Sequence, residues 1–143
     1  MEGAKVIVEY GIIGILFLMS IIAVGIAIER FSFIKNVRLE GFTSSKELEI
    51  TLTKRLYIIA SIGSNAPYIG LLGTVIGIMF TFYQMGNVGN IDTKGIMIGL
   101  SLALKATAAG LLVAIPCVSL YNMLLRRVKE KVVAYESRIV SGV

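Results

Sequence analysis

Ala66-Pro67-Tyr68-Ile69-Gly70-Leu71-Leu72-Gly73-Thr74-Val75-Ile76-Gly77-Ile78-Met79-Phe80-Thr81-Phe82-Tyr83-Gln84-Met85 contains no ionisable group beyond the phenols of Tyr68 and Tyr83. At about 1.5 Å per residue, a helix of this length reaches across the roughly 30 Å of a bilayer's hydrocarbon core. It is not apolar all round. Gly70, Thr74, Gly77, Thr81 and Gln84 recur at alternating steps of four and three, which gathers small and polar groups on one helix face. The reading is a membrane span with one face made for close contact.

Two further apolar runs flank it. Tyr10–Ile28 has no charge, and Ile96–Leu125 is broken only by Lys105. The latter is longer than a membrane needs, so its far end should project into water. Spans are therefore expected near residues 10–28, 66–85 and 96–118. Composition agrees: of 143 residues 56% are hydrophobic and 16% charged, with a mean hydropathy of +0.84. Soluble domains run at about 45–50% and about 25%. With no His and a single Cys, there is no basis for imidazole acid–base chemistry, a Cys/His metal site or an intrachain disulfide. No phosphate-cradling loop or catalytic constellation occurs, and neither an enzyme nor a bound cofactor or metal is expected.

Orientation follows from the basic residues. Residues 29–65 carry Arg30, Lys35, Arg38, Lys46, Lys54 and Arg55, and residues 119–143 carry Arg126, Arg127, Lys129, Lys131 and Arg138. Only Lys5 precedes the first span, and only Lys94 lies in the 86–95 turn. The positive-inside rule places 29–65 and 119–143 in the cytoplasm and the first nine residues and the turn outside. The net charge of +5 is thus a topology signal, and no nucleic-acid partner is expected. The first span reads as a retained anchor: Glu2 and Glu9 offset Lys5, no A-x-A-like site follows, and Glu29-Arg30 forms a stop-transfer flank. The expected fold is a single all-α membrane domain over 1–143, with three spans, N-terminus out and C-terminus in, and short cytoplasmic helical extensions. One extension is expected over Ser45–Ser64 on Leu48, Leu52, Leu56, Ile59 and Ile62, continuing toward Pro67. The other carries Val128, Val132, Tyr135 and Ile139.

The third span has its own small stripe, Ala103, Thr107, Gly110 and Ala114. A short turn makes the second and third spans antiparallel neighbours. Thr74 and Thr107 each lie about twelve residues, or about 18 Å, from that turn, at matching depth near the bilayer middle. Their hydroxyls either bond across helices and line a wet cavity or bond back to their own helix carbonyls. No Asp, Glu or His lies within a span, so a proton relay would have to borrow its carboxylate from a partner helix. That predicts an assembly of several copies around an acidic helix. Lys105 is the one charge inside a span, at an insertion cost of about 2.5–3.5 kcal/mol. It lies about 200° around from Thr107. It either points to a neighbouring subunit or lipid, or snorkels outward or sits neutral.

Ala66–Met79 resembles the A-P-x-x-G-L-L-G-T-V-x-G-M motif of the ExbB/TolQ/MotA proton-channel family. Leu102–Leu111, with Ala114-Ile115-Pro116 and Tyr121-Asn122, resembles that family's A-L-x-A-T-A-x-G-L-x-x-A-I-P stretch. For the ExbB branch, the resemblance implies a pentameric ring in the inner membrane of a Gram-negative bacterium. An ExbD-like single-span protein supplies an intramembrane Asp within the ring. The proton-motive force then energises TonB for active transport across the outer membrane. By match to the motif, Thr74 and Thr107 would face that Asp. Gly70, Gly73, Gly77, Ala103, Gly110, Ala114 and Pro116 would serve helix packing, with Pro116 locally breaking the third helix.

Two departures stand out. Family members of the ExbB and TolQ types carry Glu where this chain has Leu102, and Lys105 follows one turn later on nearly the same face, suggesting an intersubunit or partner contact. The loop between the first and second spans is also short, and the chain lacks the four spans of MotA. A TolQ-like subunit of the Tol-Pal envelope system is the alternative within the family. A passive oligomeric scaffold and a small channel needing no partner are the alternatives outside it.

Overall fold

The computed structural model describes residues 2–89 and 92–141. Among them the chain is all helical: α1 spans Glu2–Asn36, a 3-10 turn Leu39–Gly41, α2 Ser45–Leu52, α3 Leu56–Val88 and α4 Thr93–Ser141. α1, α3 and α4 are each long and apolar enough to cross a membrane, so this is a multi-pass membrane protein. Each extends beyond the span read from its apolar run. α4, at 49 residues, is about 70 Å long, and its last turns project well past any bilayer.

α1 buries Ile12, Leu16, Ala23, Ala27, Arg30 and Ile34 along one stripe and leaves Ile15, Phe17, Leu18 and Ile21 exposed on the others. The exposed faces suit lipid, since neither membrane nor core penalises them there. α3 and α4 make the most extensive contact, and α1 lies against both. One apolar cluster joins Ile12 and Leu16 of α1 to Ala66, Ala106 and Ala114. A second, at the end rich in Lys and Arg, joins Ile34 to Leu48, Leu52, Leu56, Ile59, Leu124 and Val128.

The helix expected over Ser45–Ser64 is two helices. α2 starts at Ser44, whose Oγ accepts the Glu47 amide at 3.1 Å, while the Glu47 carboxylate accepts the Thr43 amide at 3.1 Å. It ends where Arg55 adopts a left-handed conformation at φ 68°, and near that end the Thr51 and Thr53 hydroxyls donate to the carbonyls of Glu47 and Glu49. The turn lets Leu48 and Leu52 on one helix and Leu56 and Ile59 on the next all face the same core. Arg30 holds this junction. It is 3% exposed, is bidentate to Glu29 at 2.8 and 2.7 Å, donates to the Thr51 carbonyl at 3.1 Å and lies 4.5 Å over the Phe33 ring. A residue read from sequence as a topology flank thus also ties α1 to the exposed end of α2. Arg55 reaches the same Glu29 at 3.1 Å. Further along, the Tyr135 hydroxyl donates to the Phe42 carbonyl at 2.8 Å and pins α4 to the loop after α1.

α4 runs unbroken through Pro116, where a local break was expected, and α3 runs through Pro67. A proline costs its helix one hydrogen bond, but packing on neighbouring helices holds the rod together. At the opposite end from the Arg30 junction, α3 continues to Val88 and closes with Gly89 at φ 77°, a left-handed glycine stop. The 86–95 turn is thereby shortened; Asn90 and Ile91 lie outside the described residues.

Candidate functional site: a threonine pair in the α3–α4 seam

The seam is built on glycine. A Cβ added at Gly70 would lie 2.6 Å from the Ala106 carbonyl oxygen and 3.1 Å from the Gly110 Cα, and one added at Gly110 would lie 2.6 Å from the Ala66 carbonyl oxygen. One turn along, Gly73 faces the Ala106 methyl at 2.6 Å and Ile12 of α1 at 3.0 Å, and Gly77 faces the Ala103 methyl at 2.8 Å by the same measure. The two backbones therefore touch over successive turns, and any side chain at these positions would force them apart.

Thr74 sits inside that seam, 7% exposed. Its Oγ1 lies 3.0 Å from the Ala103 carbonyl across the seam, 3.3 Å from the Gly70 carbonyl of its own helix, and against the Thr107 hydroxyl. The depth match read from the sequence is thus met side chain to side chain. A hydroxyl has one proton. With Thr74 donating to Ala103, Thr107 donates to Thr74 and the Thr107 oxygen keeps its lone pairs to accept; Thr107 is half-buried where Thr74 is buried. Of the two readings open from spacing, the cross-helix bond is the shorter, and the 3.3 Å approach to the Gly70 carbonyl competes for the same proton.

The other singled-out residues separate. Gly70, Gly73, Ala103, Gly110 and Ala114 are buried and Gly77 is half-buried, whereas Pro116 is exposed and lies off the seam. Thr81 is buried, bonds back to the Gly77 carbonyl at 2.9 Å and packs on Gly99. Lys105 is exposed on the far side of α4, with no ion pair among the described residues. Leu102 is half-buried. Sequence reading passed over Ala106 and Gly99. Gly99 precedes Ala103 by one helical step of four, so extending the small stripe one turn back would have found it. Ala106 also fits the spacing, three after Ala103 and four before Gly110, but its place under both Ile12 of α1 and Gly73 of α3 shows only in the fold.

A pair of hydroxyls can orient water, donate to an anion and pass a proton, but cannot hold one as a carboxylate can.

The MotA/TolQ/ExbB proton channel family model matches residues 20–137, which include α2, all of α3 and nearly all of α4. The chain belongs to that family. It is 55% identical to the biopolymer transport protein ExbB of Aquifex aeolicus over 96% of this chain and 93% of that protein. It is 56% identical to a putative biopolymer transport protein ExbB-like 2 of Helicobacter pylori over 86% of this chain and 82% of that one. A Tol-Pal system protein TolQ of Haemophilus influenzae is 39% identical over 64% of this chain and 40% of its own length. The family is one of proton channels, and within it the Aquifex aeolicus ExbB matches almost end to end.

Proposed function

We propose that this chain is the ring-forming, ExbB-type subunit of an inner-membrane proton channel that converts the proton-motive force into work on TonB. The observation that carries the reading is the Thr74–Thr107 pair, two hydroxyls in contact in a glycine-walled seam of a chain whose apolar runs 10–28, 66–85 and 96–118 hold no Asp, Glu or His. Copies of the chain, five by resemblance to the ExbB branch, surround the helix of an ExbD-like single-span protein. That helix brings an Asp to the level of the pair. The free lone pairs of Thr107 accept a hydrogen bond from the protonated acid or from the water beside it, and a hydroxyl donates once the acid is ionised. The coupled process is active transport across the outer membrane of a Gram-negative bacterium. The N-terminus lies outside, and the Arg30 junction with the long end of α4 faces the cytoplasm, as the basic residues demand.

The exposed apolar faces of α1, α3 and α4 support an assembly that meets both other copies and membrane lipid. The TolQ similarity supports a second reading, in which the same ring serves the Tol-Pal envelope system. Extraction of the chain from native membranes in mild detergent, followed by intact-mass measurement, tests the proposal. The expected particle holds five copies with a small single-span protein bearing an intramembrane Asp, and the partner's own sequence separates TonB coupling from Tol-Pal coupling. A stable particle without any acidic-helix partner would remove the carboxylate from the scheme and leave a scaffold.

A further inference from the structure

Three cations gather on Glu29. Arg30, 3% exposed, takes both of its carboxylate oxygens, and Arg55 reaches Oε1 at 3.1 Å. Lys54 lies close enough to act on the same charge. One carboxylate against three cations leaves a surplus of positive charge, and because Arg30 is buried and committed, that surplus falls on the exposed Lys54 and Arg55. Arg55 spends one N–H on Glu29, and its other donors have no partner among the described residues. An open guanidinium fork beside an ammonium matches the paired oxygens of a phosphate.

The cluster has a definite level in the membrane. The first apolar run ends at Ile28, so Glu29 sits where hydrocarbon gives way to headgroups. Leu18, Ile22 and Gly25 lead up to it at steps of four, three and four, so they share its face of α1, and all three are exposed. A Cβ built on Gly25 would meet nothing within 4 Å, which leaves bare backbone in the middle of this lane. From Leu18 to Glu29 is about 16 Å of helix, close to the depth of one leaflet's hydrocarbon. The exposed phenol of Tyr57, two residues past Arg55, is of the type that anchors at this boundary. A free anion would use the cations alone. A phosphate carrying acyl chains uses both the cations and the lane.

We propose that Lys54 and Arg55 bind the phosphate of an anionic phospholipid in the leaflet at the basic end of the bundle, with an acyl chain along Leu18, Ile22 and Gly25. A zwitterionic lipid brings its own cation to the same place and is held less well. The bound lipid adds a tie between α1 and the α2–α3 junction beside the one Arg30 makes to the Thr51 carbonyl. The site needs only that the chain spans a membrane, and it stands whether or not the chain works with TonB.

Lipid retention by the membrane-extracted complex tests it. The particle is equilibrated in detergent with equal amounts of dioleoyl-phosphatidylglycerol and dioleoyl-phosphatidylcholine, and the lipids that stay on it are counted by intact-mass measurement. Phosphatidylglycerol should be retained over phosphatidylcholine by on the order of tenfold. Lys54→Gln with Arg55→Gly should bring that ratio close to one. Glycine suits the left-handed backbone at position 55, so this variant removes both charges without disturbing the turn. Lys46→Gln with Lys131→Gln removes the same charge elsewhere and should leave the ratio as it was. Equal loss in both double variants would overturn the site in favour of attraction by net charge. An unchanged ratio in the Lys54/Arg55 variant would overturn it outright, including where that variant instead sheds a protein partner, which would assign the cations to an acidic protein segment. Inorganic phosphate supplied at the lipid's concentration should displace nothing, and displacement would overturn the acyl-chain lane in favour of a free anion.

Discussion

Thr74→Val and Thr107→Val should each leave the complex assembled with its partner at normal levels while reducing proton-driven transport at least tenfold. Valine keeps the shape of threonine and deletes only the hydroxyl. Loss of the Thr74 hydroxyl removes two interhelical side-chain bonds, to the Ala103 carbonyl and the Thr107 hydroxyl, and loss of the Thr107 hydroxyl removes the second alone; at about 0.6 kcal/mol for each such bond in membrane bundles, the cost to assembly is about 1 kcal/mol. For the transported proton the same deletion removes a donor from a narrow site where little water can replace it. A hydrogen bond to a charged group contributes about 1.5–3 kcal/mol, and each 1.36 kcal/mol on a barrier is a factor of about ten. Thr107→Ser, which retains a hydroxyl at the same place, should restore most of the activity. Uptake measured beside quantified complex separates the two readings, since a passive scaffold would lose nothing with valine at either position.

Gly70→Val and Gly110→Val should have the opposite signature, loss of the folded protein itself. The atoms a Cβ would meet at these positions are backbone, the Ala106 and Ala66 carbonyl oxygens at 2.6 Å, and backbone cannot swing aside as a side-chain tip can. Overpacking of a tight interface costs about 1–3 kcal/mol and more where the helices must separate. Separation would also pull Thr74 from Thr107, so any surviving protein should be inactive. Gly86→Ala provides the control. Its added methyl meets nothing within 4 Å, and replacement of a helical glycine there should leave the midpoint unchanged or raise it slightly. Membrane accumulation and thermal midpoint in detergent read both effects.

Much of this seam is legible in the sequence because helix geometry is rigid. Steps of three and four put Gly70, Thr74 and Gly77 on one line and Ala103, Thr107 and Gly110 on another, and equal distances from the turn bring the two threonines level. What was not legible depends on a third body or on local competition. Ala106 matters because Ile12 of α1 presses on the same spot as Gly73. Arg30 looked like one more basic flank, and its burial depends on Thr51 arriving from a separate helix. The break at Arg55 runs against an apolar pattern that reads straight through it, because the pattern records which residues must be buried and not whether one rod or two presents them. Pro116 was overread in the other direction. A proline removes one bond from a helix that neighbours support along much of its length, and the helix continues.

Proton flux into vesicles tests the central claim most directly. The purified chain is reconstituted alone, and in parallel as the complex with its co-purifying single-span partner, and internal pH is followed after a membrane potential is imposed. The account predicts flux from the complex, little from the chain alone, and loss of the complex's flux with Thr107→Val. Equal flux from the chain alone would show that the threonine seam needs no borrowed carboxylate, and the proposed division of the site between two proteins would be wrong.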